Sequence, residues 1–127
     1  MEVALDTNAL SAFAEGNDAL GAVLMPFRTL SFPVTVLGEY RYGLQASKKK
    51  TRLEAWLDEL LGEVRVLETT ARTTMIYARV RSGLRAAGTP IPENDVWIAA
   101  AAIEHNLPLV TRDNHFRVVK GLEILTW

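Results

Sequence analysis

Four acidic residues stand where a folded chain could present them together, namely Asp6, Glu39, Asp95 and Asp113. The first and the last each follow a short apolar run, in the sequences VALDTN and LVTRDN. A carboxylate just past the end of a buried strand is held at the rim of a sheet, which is where open α/β folds place their chemistry. Glu39 and Asp95 lie near the expected N-termini of helices, where the helix dipole favours negative charge. All four are therefore candidate catalytic and metal-binding residues.

Carboxylates gathered at one rim repel each other, and a pair at about 4 Å costs on the order of 4 kcal/mol at an effective dielectric near 20. A divalent cation removes that penalty. Mg²⁺ or Mn²⁺ is the expected ion, because the chain has no cysteine and its two histidines are not spaced as a pair of zinc ligands. Such a site polarises a phosphoryl oxygen and activates water for attack on a phosphodiester.

Each of these positions also has an ordinary structural interpretation. Asp6 could be a turn residue or the N-cap of the following helix, since aspartate is favoured in both roles. Asn8 and Thr111 could orient the carboxylates or a metal-bound water, or they could be no more than turn and strand-end residues. Glu93 is a further acid beside Asp95, and the sequence leaves open whether it contributes to the site.

The elements that must position these residues are short strands alternating with helices. The apolar patterns predict strands near residues 3–5, 30–32, 64–67, 109–111 and 122–125, and helices near residues 10–15, 18–25, 36–44, 53–61, 70–87 and 96–105. No hairpin dipeptide separates the strands, which favours parallel crossovers. The prediction is one α/β domain over residues 1–127, with a doubly wound sheet of about five mainly parallel strands flanked by helices.

That topology makes a prediction about the site. If strands one and four are neighbours where the strand order reverses, Asp6 and Asp113 face one crevice. Glu39 belongs on the same rim, because its helix follows strand two and so begins at the carboxyl end of that strand. The helix of Asp95 precedes strand four, and the connectivity alone does not fix where Asp95 lies.

Composition limits the class of protein. With 127 residues, 49% hydrophobic, 23% charged and no cysteine, the chain is expected to be a soluble globular domain of the reducing cytoplasm. It has no apolar run of bilayer-spanning length and no signal-peptide pattern, so no membrane role is expected. The net charge of −1 argues against a strongly basic nucleic-acid binder, but the charge outside the four acids is mildly positive and compatible with a polyanion. The one dense basic run, Lys48, Lys49, Lys50 and Arg52, is either a solvated connection or a phosphate contact.

Four segments carry a family resemblance. The stretches VALDTNAL, TVLGEYRYG, PENDVWIAAAA and VTRDNHF, which contain Asp6, Glu39, Asp95 and Asp113, resemble the acidic motifs of the PIN domain, especially in the VapC-type toxin ribonucleases of toxin–antitoxin pairs. The resemblance covers essentially the whole chain. It implies a five-stranded parallel sheet, an acidic Mg²⁺ or Mn²⁺ pocket, cleavage of RNA, a homodimer or higher toxin–antitoxin assembly, and inhibition by a small antitoxin protein.

Other interpretations compete with a nuclease. Aspartyl-phosphate phosphatases also begin with an aspartate after a first strand, but their motif needs a second aspartate two positions on, where this chain has Asn8. A receiver-type signalling domain would need neighbouring acids and a late strand-end lysine, and the fourth strand ends in Thr111 and Arg112. The stronger alternative is a catalytically silent PIN-like module that binds RNA or a protein. An acid missing from one of the four positions would have favoured this silent module, and all four acids are present.

Overall fold

The sheet is parallel throughout, with the strand order β3-β2-β1-β4-β5, in a computed structural model that describes residues 1–127. The strands are β1 (Glu2–Leu5), β2 (Thr29–Pro33), β3 (Arg65–Leu67), β4 (Leu109–Val110) and β5 (Ile124–Leu125). The helices are α1 (Thr7–Ala14), α2 (Asp18–Leu24), α3 (Val34–Leu44), α4 (Lys50–Leu60), α5 (Ala71–Ala86) and α6 (Glu93–Glu104), and a 3₁₀ helix spans Asn114–Val118. The predicted fold class is confirmed.

The strand order reverses beside β1. The chain moves outward from β1 through β2 to β3, and it then returns to lay β4 on the other side of β1. Leu5 lies opposite Val110 in the β1–β4 register, so the residues that follow the two strands leave the sheet side by side. Open α/β sheets form their crevice at such a reversal, and the expected adjacency of strands one and four is confirmed.

The core lies on both faces of the central strands. Val3, Ala4 and Leu5 of β1 are fully buried, as expected for a strand covered on both faces by crossover helices. Helix α6 packs into this core through the run Ala99–Ala102, whose residues are all buried. Small side chains let the helix approach closely, and this contact fixes the position of its N-terminus at the edge of the sheet.

One helix starts earlier than the sequence predicts. Helix α3 begins at Val34 with Pro33 at its N-cap, two residues before the predicted start near residue 36. Proline is well suited to an early position because it has no N–H to leave unpaired. The apolar residue Val118 ends a 3₁₀ helix, and Val119 follows as its C-cap. None of the six helices combines the length and the apolarity that crossing a bilayer would require.

Candidate active site

Asp6 is buried at the carboxyl end of β1, with only 5% of its surface exposed. Its Oδ1 accepts a hydrogen bond from the Thr7 N–H at 2.7 Å, which makes it the N-cap of α1. Its Oδ2 accepts a bond from the Thr111 hydroxyl at 2.6 Å. The capping role and the site role that the sequence offered as alternatives are therefore compatible, because one oxygen caps the helix and the other faces the end of β4.

Thr111 joins the two strand ends. It is 1% exposed, and its hydroxyl donates to Asp6 while it accepts from the Asp113 N–H at 2.9 Å. The Asn8 amide approaches the same oxygen at 3.4 Å, and the Asn8 Oδ1 accepts from the Arg112 N–H at 3.3 Å. The two residues thus hold the loop after β4 against the start of α1, a geometry that suits their expected supporting roles.

Glu39 reaches the same rim from the second turn of α3. Its Oε1 accepts a hydrogen bond from the Thr7 hydroxyl at 2.7 Å, and its Oε2 faces the Asn94 amide at 3.4 Å. Thr7 therefore links Asp6 to Glu39 as Thr111 links Asp6 to Asp113. Sequence reasoning did not assign Thr7 or Asn94 to the site, although both directly adjoin predicted site residues.

Asp95 and Asp113 converge on His115. The His115 Nδ1 lies 3.0 Å from Asp95 Oδ2 and 3.2 Å from Asp113 Oδ1. The backbone N–H of the histidine also donates to Asp113 Oδ1 at 2.9 Å, which fixes the first turn of the 3₁₀ helix. Asp95, whose position the connectivity left open, thus lies at the rim. His115, which was not among the predicted site residues, contacts both acids.

Glu93 points away from this cluster. Its Oε1 accepts a hydrogen bond from the Tyr77 hydroxyl at 3.0 Å and lies 3.5 Å from Arg81 Nη1. The Tyr77 ring is stacked on Trp97 with 3.7 Å between ring centroids, which holds this contact on the side of α6 that faces α5. Of the two neighbouring acids, Asp95 is the one directed towards the other carboxylates.

The electrostatics follow from this crowding. Burial raises the pKa of Asp6 from 3.8 to about 6, the hydrogen bonds from Thr111 and Thr7 oppose the rise, and the charges of Asp95 and Glu39 add to it. A carboxylate removed from water and placed near others is costly to ionise. At neutral pH the metal-free site therefore holds negative charge that the protein only partly compensates.

Asp95 and His115 form a second group at the site with perturbed pKa values. Burial raises the pKa of Asp95, the hydrogen bond from His115 lowers it, and the charge of Asp113 raises it. The hydrogen bond to Asp95 and the charge of Asp113 raise the pKa of His115. A positive charge between the two carboxylates is therefore favoured, and this is why the pKa of the His115 imidazole is raised.

The donor atoms fit a divalent cation. One oxygen each from Asp95 and Asp113 and one nitrogen of His115 lie within 4.8 Å of one another. The distances of 3.0 and 3.2 Å from the His115 Nδ1 to the two carboxylate oxygens are near the roughly 3 Å that separates neighbouring ligands around an ion with bonds of about 2.1 Å. Asp6 and Glu39 are each linked to the site by one threonine hydroxyl, so they are placed to orient ligands and water around it. The nearby imidazole modifies the all-oxygen ligand set that the sequence suggested.

Comparison with known proteins agrees with this geometry. The family model of the PIN domain matches residues 3–122. The chain is 33% identical over 100 residues to "Ribonuclease VapC2" of Rickettsia felis, covering 78% of this chain and 75% of that protein. It is 31% identical over 121 residues to "Ribonuclease VapC5" of Mycobacterium tuberculosis, covering 92% of this chain and 87% of that protein.

Solved structures that resemble the chain include VapBC proteins. The crystal structure of VapBC2 from Rickettsia felis, bound to a DNA fragment from its promoter, contains a chain with a TM-score of 0.88 and 30% identity, covering 100% of this chain and 99% of that one. The VapBC-5 structure from Mycobacterium tuberculosis gives a TM-score of 0.77 at 26% identity, with 99% and 98% covered. The chain therefore belongs to the PIN-domain family, and within it to the VapC group.

Proposed function

We propose that this chain is a metal-dependent endoribonuclease and the toxin of a toxin–antitoxin pair. The observation that carries the proposal is the convergence of Asp6, Glu39, Asp95 and Asp113 on one edge of the sheet, each from a different element of the fold. The relatives named as ribonucleases support RNA as the substrate. Nothing in the site favours a silent binding module, since every acidic position is occupied.

In this proposal Asp95 and Asp113 hold Mg²⁺ or Mn²⁺, with Asp6 and Glu39 completing the acidic pocket. The bound ion supplies polarisation of a phosphoryl oxygen and a lowered pKa of water. The Thr111 and Thr7 hydroxyls hold the Asp6 and Glu39 carboxylates in fixed orientations, so little reorganisation is needed when a phosphodiester arrives.

The direct test is cleavage of a labelled general RNA by the purified chain. We expect cleavage with Mg²⁺ or Mn²⁺ and none in excess chelator. Asp113→Asn should abolish cleavage, while Asp58→Asn, which removes an exposed acid on α4 remote from the pocket, should leave it intact. Undiminished cleavage in chelator, or equal activity of Asp113→Asn and wild type, would refute the proposal.

The antitoxin is the second part of the proposal. The structural neighbours are toxin–antitoxin complexes, and an acidic crevice attracts an arginine or lysine side chain. A small protein encoded beside this chain is expected to bind with a basic side chain in the crevice, in a homodimeric or higher assembly. Co-expression should yield a stable complex that inhibits RNA cleavage. If the two proteins purify separately at low salt, the assignment as a toxin loses its main support.

A further inference from the structure

The loop that carries Asp113 follows a very short pair of strands. Strands β4 and β5 have two residues each, and their ladder ends with Val110 opposite Leu125. One further backbone bond runs from the Thr111 N–H to the Leu125 carbonyl oxygen at 2.9 Å. Strand β5 is also an edge strand of the sheet. Backbone pairing with β5 therefore stops before the loop reaches Asp113, and any further support from that side has to come through side chains.

Arg112 and Trp127 supply such a side-chain contact. Each lies two residues beyond the last ladder pair, Val110 and Leu125, so the parallel register continued by two positions places them opposite each other. The Arg112 guanidinium lies over the Trp127 ring, with 4.6 Å between its central carbon and the ring centroid. The Arg112 Nε also donates a hydrogen bond to the Trp127 main-chain oxygen at 3.2 Å. One residue thus holds the guanidinium by a ring face and by a carbonyl oxygen.

The Trp127 ring is itself anchored to the body of the domain. It is half-buried and packs against the hydrophobic core, and its indole N–H is buried without an acceptor in the chain. A buried donor without a partner costs stability, so packing alone would favour a phenyl ring over an indole at this position. An indole offers the best aromatic face for a cation. The contact with Arg112 is therefore a reason for tryptophan here.

Arg112 is held from the opposite side as well. Its backbone N–H donates to Asn8 Oδ1 at 3.3 Å, and Asn8 lies in the first turn of α1. Its neighbours along the chain are Thr111, whose hydroxyl bonds Asp6, and Asp113. The main chain of Arg112 is thus tied to α1, and its side chain is tied to the residue beyond β5. Because Asp113 comes next in the chain, both contacts restrict where the Asp113 carboxylate points.

We infer that Arg112 and Trp127 are positioning residues of the metal site: the Trp127 ring holds Arg112, and Arg112 holds the Asp113 carboxylate in the orientation that binds the ion. This inference rests on the proposed metal-dependent function. Replacing a residue that orients a metal ligand lowers metal affinity by roughly 10- to 100-fold. Electrostatics alone predicts the opposite sign for Arg112, because removing a positive charge near a cation site strengthens cation binding. The direction of the change in affinity therefore distinguishes positioning from charge.

The first measurement is the affinity of the RNA-free protein for Mn²⁺, followed through the electron paramagnetic resonance signal of unbound Mn²⁺. Arg112→Ala and Trp127→Ala should each raise the Kd for Mn²⁺ about tenfold. Trp127→Phe keeps a ring beneath the guanidinium, and its Kd should stay within about threefold of wild type. The double variant Arg112→Ala/Trp127→Ala should bind about as weakly as either single variant, because residues that act through one contact are not additive.

The second measurement needs no metal. Asp113 donates its N–H to Thr111, and His115 donates its N–H to Asp113, so these two amides report the order of the loop. In the metal-free chain, both amides should exchange hydrogen faster in Trp127→Ala than in wild type, because the loop opens more often when Arg112 is released. Trp127→Phe should keep most of the protection.

Two variants serve as controls, and every Kd is measured well below the Tm of each variant. Leu60→Ala truncates a nearly buried side chain of α4, so it should lower the Tm without changing the affinity for Mn²⁺. Lys120→Gln removes an exposed positive charge that follows the 3₁₀ helix, and it should not weaken Mn²⁺ binding. The first control isolates loss of stability, and the second isolates loss of charge.

The outcomes separate this inference from the proposed function. If the wild-type chain neither binds Mn²⁺ nor cuts RNA, both fail together. If wild type does both but Arg112→Ala binds Mn²⁺ as tightly or more tightly, the positioning role is wrong and the nuclease stands. An equal loss of Mn²⁺ affinity in Leu60→Ala would reveal a general effect of instability and would also overturn the inference.

Cleavage kinetics distinguish positioning from direct contact with RNA. Excess Mn²⁺ should restore the kcat of Arg112→Ala, with the KM for RNA unchanged, because the variant lacks only an ordered metal ligand. A raised KM for RNA at unchanged Mn²⁺ affinity would make Arg112 an RNA contact and would contradict the positioning role.

Discussion

Removing the charge of Asp6 should stabilise the metal-free protein while destroying its activity. Asp6→Asn keeps the shape of the side chain and its capping ability, since asparagine caps helices about as well as aspartate. The pKa of Asp6 is raised from 3.8 to about 6 in the folded chain. Between these two pH values the folded state therefore holds a proton that the unfolded state has lost. At 1.36 kcal/mol per pKa unit, ionising this buried carboxyl costs the fold about 3 kcal/mol.

The substitution does not recover all of that energy. Thr111 donates its hydroxyl proton to Asp6 Oδ2 and accepts from the Asp113 N–H, so an amide nitrogen in place of Oδ2 disrupts the arrangement. A lost hydrogen bond of this kind costs about 1 kcal/mol. The expected gain for Asp6→Asn in chelator at pH 8 is therefore about 2 kcal/mol, or roughly 6–10 °C in Tm for a domain of this size.

The pH dependence is the sharper measurement. A raised carboxyl pKa means that stability is lost as the pH rises from the unfolded value of 3.8 through the folded value of about 6. The advantage of Asp6→Asn should therefore be largest at pH 8 and fall by about 2 kcal/mol by pH 4, where the wild-type carboxyl is protonated in the folded state and close to half protonated in the unfolded state. Urea unfolding in chelator at pH 4 and pH 8 measures the difference in unfolding free energy between Asp6→Asn and wild type.

Two controls accompany Asp6→Asn: the removal of a different acidic charge, and the addition of a metal ion. Asp58→Asn removes an exposed acid and should change stability by less than about 0.5 kcal/mol at either pH. Added Mn²⁺ should stabilise wild type more than Asp6→Asn, because a ligand stabilises the state that binds it in proportion to its affinity. A stability difference that does not change between pH 4 and pH 8 would refute the reasoning. An Asp6→Asn chain that still cuts RNA and responds fully to Mn²⁺ would remove Asp6 from the site.

Two further predictions concern the rim. Glu93→Gln should cut RNA at a rate within about twofold of wild type, because the Glu93 carboxylate contacts Tyr77 and Arg81 away from the pocket. Asp95→Asn should be inactive, and an equal loss of activity in both variants would contradict the choice of Asp95 over Glu93 as the site residue. The pKa of His115 is raised, so its stabilising charge is present below the unfolded value of 6.5 and is lost as the pH rises through the higher folded value. In chelator, wild type should therefore lose more stability than His115→Asn between pH 6 and pH 9, and parallel unfolding curves would contradict this.

The sequence by itself determined the residues that follow strands and begin helices. Val3 to Leu5 could be recognised as a buried strand from its apolar run, so Asp6 could be placed at a strand end. The same local reasoning placed Asp95 in the first turn of its helix and predicted a parallel α/β sheet, because hydrophobic period and chain direction are properties of short segments. The expected place of Glu39 near a helix N-terminus is wrong, because α3 begins at Val34 and Glu39 lies in its second turn. These predictions needed no knowledge of distant contacts.

Only the tertiary structure decided which side chains meet. The bond between Thr111 and Asp6 joins residues 105 apart, and the bond between Thr7 and Glu39 joins residues 32 apart. Such contacts depend on β4 returning beside β1, and no local pattern encodes that choice. Glu93 and Asp95 lie two residues apart in the first turn of α6 and so point to opposite sides of the helix, and the packing of α6 against its neighbours decides which of these sides faces the other carboxylates. Local sequence therefore specified the candidate groups, and packing between distant elements specified the site.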